Sequence, residues 1–470
     1  MLFFKAHKEV VDYVDLVNCQ LLESGARGMS RIQRDWLSYC ITGVIVTGSI
    51  CWAKIDRASF SSRSARALSF IFCCAKIPWD MLFRVSMLAL IRLYNIQSGT
   101  LVIDDTERKR SKQTKTIHGV HKMKDKKTNG YIMGQELVIA VLVNKTISMP
   151  VGFSFYIPDP TLQAWQDQDR CLREQGVDKS NRPVKPKRDK NFPTKQKLGL
   201  ILIRRFRFWT KSKIKIDSIL ADAAYMSKYW LNTCRKVFPQ AQVISQIKSN
   251  QIVQSGNRPE VSAKDFFANA RSKTLMVPIR GGKPKNVTMA SARLFVRSLG
   301  RRMLIVALKY EGEDQYRYLA ATDLTWRSMD IVKQYSLRWL IEVFNQDWKA
   351  YCGWGRHACQ QGVDGARRGV CLSVLVDHCL LSHPEQLRLG HAAQPLWTVG
   401  SLHRKLQIQS LFASIETILD SDNPKKKLQT LAENLDELIE LRPSGKHMAG
   451  REIGPPEPSP ALQRKYKNTG

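Results

Sequence analysis

Tyr335, Arg338, Glu342 and Lys349 follow one another at intervals of three, four and seven residues. At about 100° per residue, an α-helix over Tyr335–Lys349 puts all four side chains within an arc of roughly 60°. Leu337, Leu340, Ile341, Phe344 and Trp348 fall on the other side, an apolar stripe fit to dock on a core. The polar line offers a carboxylate, two cations and a phenol. A carboxylate flanked by cations suits chemistry on phosphate: the acid can share a hard divalent ion, and an arginine can hold phosphate oxygens bidentately.

Two upstream stretches end in acids. In Gly99–Thr106, Leu101, Val102 and Ile103 form a continuous apolar run, the pattern of a central strand buried on both faces. It ends in Asp104 and Asp105, neither of which can be buried without a metal or a basic partner. Ile214–Tyr225 reads as a second strand that delivers Asp222, with Ser227 as the N-cap of a following helix. A plain Asp-Asp-Thr turn and a capping aspartate are the bland readings of these two sites. His118 and His121 lie at a close spacing but have no third ligand in the sequence to make a zinc site.

The Tyr-x2-Arg-x3-Glu-x6-Lys spacing resembles the Y-R-E-K signature of the insertion-sequence-four (IS-four) family of DDE transposases, matched at all four positions. The resemblance implies an α/β fold, with an RNase H-like catalytic core interrupted by a β-rich insertion and helical regions at both ends. It implies Asp105, Asp222 and Glu342 as catalytic, metal-holding acids, with Asp104 the alternative to Asp105. Carboxylate-only ligation points to Mg²⁺, with Mn²⁺ as a substitute, and to two ions about 3.5–4 Å apart. Tyr335, Arg338 and Lys349 would contact phosphates. Trp339, directly after the motif arginine, and Tyr318, before Leu319-Ala-Ala-Thr322, would stack a base extruded during formation of a DNA hairpin. The implied activity is cut-and-paste transposition. The chain would bind the inverted-repeat ends of its own element and target DNA, assemble as a homodimer on DNA, and work in the bacterial cytoplasm at the nucleoid. A structure-specific nuclease of the same fold and a transposase-derived DNA-binding protein without catalysis are the other classes in view.

The rest of the chain has to position these residues. At 470 residues it has room for several domains, and a net charge of +33 calls for a polyanionic partner, most simply nucleic acid. No segment has the length and composition of a membrane span, and the eleven cysteines form no CxxC pairs. Residues 1–97 read as a helical DNA-binding domain and 98–250 as the first part of the core. Residues 251–325 read as the β-rich insertion, 326–375 as the second part of the core, and 376–470 as a helical region with a basic, disordered tail. Residues 178–197 read as a Pro-rich basic loop that tracks the DNA backbone or is disordered without it.

Overall fold

The computed structural model describes residues 3–59, 62–110, 114, 116–125, 129–277, 284–355, 360–391 and 398–438. The chain divides into two compact units, residues 2–414 and the segment from Ile415 onward.

Five helices open the first unit: α1 (Lys8–Glu23), α2 (Arg31–Thr47), α3 (Trp52–Ala58), α4 (Ala65–Cys74) and α5 (Trp79–Leu93). Ser30 starts α2 with a capping box, exchanging bonds with Gln33. Trp36, Trp52, Phe72 and Trp79 form an aromatic cluster that ties α2 to α5. Residues 1–97 were expected as a domain of their own, yet α5 is bonded into the remainder of the unit. Ser86 Oγ lies 2.8 Å from His378 Nδ1, and the Tyr94 hydroxyl donates to the Leu381 carbonyl at 2.7 Å.

A mixed sheet follows. Its strands are β1 (Ser98–Arg110), β2 (His121–Lys124), β3 (Tyr131–Val143), β4 (Ser148–Tyr156), β5 (Lys215–Ala221), β6 (Gln242–Ile247), β7 (Ile252–Gln254), β8 (Val261–Ser262), β9 (Lys273–Val277), β10 (Lys285–Val296), β11 (Arg301–Tyr310) and β12 (Arg317–Ala321). The order is β2-β3-β1-β5-β6-β12-β11-β10-β7-β8, with β4 also on β3 and β9 on β10. β1 pairs antiparallel with β3 but parallel with β5, and β5 is parallel to β6. The segment expected as a β-rich insertion extends this same sheet, because β12 returns antiparallel to β6.

The later helices are α6 (Pro160–Glu174), α7 (Lys195–Trp209), α8 (Lys228–Val237), α9 (Ala263–Ala268), α10 (Ser328–Ser336), α11 (Trp339–Tyr351), α12 (Gly362–Leu381), α13 (Pro384–His391) and α14 (Val399–Leu419). α15 (Pro424–Leu438) belongs to the second unit, and the tail expected beyond Arg442 lies outside the described residues. Leu101 and Ile103 of β1 and Ile219 and Ala221 of β5 join the core formed with Leu198, Ile203 and Trp230. Alternation sends Thr100 and Ser218 to the opposite face, where both hydroxyls receive hydrogen bonds from Gln334 of α10. Thus α7 and α8 cover one face of the central strands, and α10 and α11 cover the other.

Of the stretch 178–197 expected as a loop, Lys195 to Lys197 begin α7, and the rest is pinned rather than loose. Asp189 N donates to Asp159 at 2.8 Å, Trp165 Nε1 to the Pro183 carbonyl at 2.8 Å, and Arg182 pairs with Asp169 at 3.0 Å. Among the described residues no single helix is long and apolar enough to cross a membrane. The bent pair α2–α3 alone passes by length and composition, and the apolar side chains of α2 from Trp36 to Val46 are buried in the unit.

Candidate active site

The single helix expected over Tyr335–Lys349 is split. Leu337, Arg338, Leu340 and Ile341 donate to carbonyls three residues back, at 3.0–3.2 Å. This is a tightened 3₁₀-type turn between α10 and α11, and such a turn within a helix often marks a hinge. The apolar stripe still docks, with Ile341, Phe344 and Trp348 buried and Leu337 and Leu340 half-buried. Glu342 stays exposed at the start of α11, and Arg338 sits at the joint.

Arg338 organises the α11 side of the sheet. Its Nη1 donates to Asp104 Oδ2 at 2.7 Å, and its Nη2 reaches Glu342 Oε1 at 3.3 Å. Asp222 shares that face with Ser218 by alternation along β5, and its charge acts on both Tyr335 and Arg338. Its Oδ1 also accepts from Ala223 N at 2.6 Å, so the capping role exists beside any other. Burial pushes the Asp104 carboxyl up to about 6, against the opposing pull of Arg338. Burial likewise takes the Tyr335 hydroxyl to about 12, and this hydroxyl has no partner among the described residues.

Asp105 points the other way. Its Oδ2 accepts from Lys195 Nζ at 2.8 Å on the α7 side of the sheet. Lys195 also bonds Glu136 of β3, and His121 Nε2 lies 3.7 Å from the other oxygen of that carboxylate. Burial raises the Asp105 pKa although Lys195 opposes it. Glu136, also raised by burial, is brought down to about 2 by His121 and Lys195. The set Asp105, Asp222 and Glu342 is therefore not gathered on one face. The acid that joins Asp222 and Glu342 there is Asp104, since neighbours on a strand face opposite ways. Asp105 does border the cavity in front of α11, a space of about 440 Å³ shared with Thr106, Glu107, Trp339, Glu342, Asn345 and Lys349.

The remaining expected residues divide. Trp339 is 62% exposed at the rim of that cavity. Lys349 lines the cavity, but its ammonium donates to the Glu107 carbonyl at 2.8 Å, and burial lowers its pKa. Tyr318 does not reach the cavity surface as expected. It is 4% exposed, held in the core between β6 and β11, with its ring 5.9 Å from that of Phe267. His118 packs edge-on against Phe155. Lys195 and Glu136 went unnoticed in the sequence; the clue available was Thr194, an N-cap that places Lys195 on the first turn of α7.

The acids fit a hard divalent cation in kind, being all-oxygen donors from three separate elements. In spacing they do not yet close on one: among the described residues no three His, Cys, Asp or Glu side chains stand together as a metal site. The guanidinium of Arg338 lies bonded between Asp104 and Glu342, supplying the positive charge there.

Residues 193–372 match the family model for the transposase DDE domain. The matched stretch contains Asp222, Arg338 and Glu342, and this part of the chain is similar to the DDE domain of transposases. It begins after Asp104 and Asp105. No curated protein matches the chain. Among solved structures, the chain is similar to the piggyBac transposase in a synaptic complex with hairpin DNA, determined by cryo-EM. That likeness is 12% in sequence with a TM-score of 0.43, over 96% of this chain and 87% of the other.

Proposed function

We propose that the chain is a DDE transposase with an RNase H-like core, cutting DNA at the ends of its own element and joining them to a target. The observation that carries this is that Asp104 of β1 and Glu342 of α11 meet on Arg338, where the charge of Asp222 at the end of β5 also acts, with Asp222 and Glu342 inside the stretch that matches the DDE domain. The strand order β4-β3-β1-β5-β6 supports the core assignment, with its antiparallel hairpin and two parallel neighbours. Mg²⁺, or Mn²⁺ in its place, would be held by these acids; two ions there would neutralise the scissile phosphate and acidify the attacking hydroxyl.

The chain's own groups account for the rest. Arg338 exchanges its carboxylates for a phosphate of the DNA end, with two parallel donors matching two phosphate oxygens. Tyr335 donates its buried hydroxyl at the same place. Lys349 fixes β1 against α11 through the Glu107 carbonyl and adds positive charge to the cavity. Trp339 at the rim can stack a base turned out of the duplex when a cut end closes into a hairpin, a step that costs a few kcal/mol of unstacking. Two chains pair on DNA, each holding one end.

The test uses purified full-length protein and a plasmid carrying the inverted repeats recovered from DNA flanking the gene. Mg²⁺-dependent nicking at the repeat boundary, lost in Glu342→Gln, supports the reading. Binding without any strand cleavage would move it to a DNA-binding protein of the same descent. Cleavage that ignores the repeats would favour a structure-specific nuclease.

A further inference from the structure

A second cavity, of about 590 Å³, lies at the other end of the central strands. Gln97 and Ile214, just before β1 and β5, line it, whereas the acids lie where those strands end. At about 3.3 Å per residue the two places are separated by roughly 20 Å. Arg84 and Arg92 of α5 reach the cavity from one side, Lys211 and Lys213 from the turn after α7, and Trp209 forms part of its wall.

The charges there are unspent. Glu23, the acid in the lining, already accepts from Arg92 at 2.8 Å and from Gln20 at 3.0 Å. Arg84, Lys211 and Lys213 have no acceptor among the described residues, and Arg84 Nε is buried from water as well. A buried donor left without an acceptor is costly, so an anion entering the cavity recovers that cost. Asn95 and Lys211 end α5 and α7 in the left-handed region, with φ of +45° and +50°, and Ser212 follows at +57°. Ile96 N bonds the Ile91 carbonyl and Ser212 N the Arg207 carbonyl, so these helix endings fix where Lys211 and Lys213 stand. The N–H groups of Lys211, Ser212 and Lys213 are used within the turn, so recognition falls to the side chains.

A cavity of this size suits a small organic ligand. Three free cations call for a phosphate, and the indole beside them, with Arg205 over its ring at 5.6 Å and the Phe83 ring 5.8 Å away, leaves its remaining surface to a flat ring. We propose that this cavity binds a nucleoside phosphate, with the phosphate on Arg84, Lys211 and Lys213 and the base against Trp209. The source is either a free mononucleotide or a nucleotide turned out of a DNA strand.

The full-length protein is labelled with 8-azidoadenosine monophosphate, the cross-linked peptide is located by mass spectrometry, and AMP affinity is measured by calorimetry. The label should fall on the peptide holding Trp209 or on α5, and unlabelled AMP should suppress it. Inorganic phosphate should compete at least tenfold more weakly than AMP. Lys211→Glu with Lys213→Glu, both exposed, should weaken AMP binding at least tenfold without altering thermal unfolding, and Arg84→Gln several-fold. A thymidine tetranucleotide that competes better than AMP identifies a strand as the source; a weaker one identifies the free nucleotide. Label spread over other basic segments, phosphate competing as well as AMP, or equal affinity in the charge-reversed protein would each overturn the proposal.

Discussion

Asp104 and Asp105 are adjacent in sequence and leave β1 on opposite faces, each bound to a cation. On the α7 face, Lys195 holds Asp105 and Glu136, with His121 close behind. The Lys195, Asp105 and Glu136 side chains are 31%, 27% and 13% exposed, and each cation and acid belongs to a regular element. On the α11 face, Arg338 and Asp104 are 21% and 13% exposed, and only Glu342, at 43%, is open; Arg338 holds both acids from a 3₁₀-type turn. Both faces touch the cavity in front of α11, one through Asp105 and the other through Glu342. The α7 arrangement is tied on every side to regular elements, whereas the α11 arrangement is loosely bonded at Glu342 and mounted on a joint. What separates two carboxylates around one cation here is the freedom of Glu342 and the stiffness of the element carrying the cation.

That contrast breaks most sharply under removal of the acids. Glu342→Gln and Asp222→Asn should each reduce strand cleavage by at least a thousandfold. DNA-end affinity measured by gel shift should change by no more than a few-fold, because affinity comes from the lysines and arginines. Glu136→Gln, on the other face, should leave cleavage within about tenfold.

Removing the cations comes next. Lys195→Met leaves two half-buried carboxylates facing each other and should cost about 2 kcal/mol in urea unfolding, less than a fully buried pair because the site is partly wet. Arg338→Gln strips a 2.7 Å bond from the mostly buried Asp104 as well as a longer one from the exposed Glu342, so its stability cost, about 1–2 kcal/mol, does not set the two faces apart. It should, however, raise the affinity for Mn²⁺ without DNA about tenfold, read by electron paramagnetic resonance, since the competing charged hydrogen bonds are gone. Equal Mn²⁺ affinity in wild type and variant would place Arg338 outside the site.

The smallest expected effects are in pH dependence, where Asp104 and Glu136 have opposite signs and Asp105, also raised by burial, goes with Asp104. Asp104 in the folded protein keeps its proton up to about 6, against 3.8 in the open chain. Its contribution to stability is therefore lost as pH rises from about 4 to about 6. Glu136, at about 2 against 4.5, contributes stability above its unfolded value that disappears as pH falls toward 2. Asp104→Asn should flatten the first slope and Glu136→Gln the second, in urea midpoints taken from pH 3 to pH 7.

Much of this site is readable in the sequence, and the part that is not has a physical reason. The apolar runs before Asp104 and Asp222 and the stripe behind Glu342 mark the elements, because buried strands and docked helices require such runs. Which of Asp104 and Asp105 faces α11 is not legible. Leu101, Val102 and Ile103 are apolar for both faces, so no alternation sets the register. Tyr318 misleads for the same reason, as β12 lies between two strands and is packed on both sides. The turn at Leu337–Arg338 leaves no trace, since its residues suit an α-helix as well. Helix α6 buries only Leu162 and has little apolar stripe; Asp159 as N-cap before Pro160 is its one signal.

The central claim is that the three acids work from the α11 face, and a paired measurement decides it. Asp104→Asn and Asp105→Asn proteins are given a plasmid carrying the element's ends with Mg²⁺, and nicking at the repeat boundary is followed on a denaturing gel. The structure leads us to expect no nicking with Asp104→Asn and retained, slower nicking with Asp105→Asn. Retained nicking in Asp104→Asn with its loss in Asp105→Asn would contradict the account and return the first acid to the position the sequence resemblance implies.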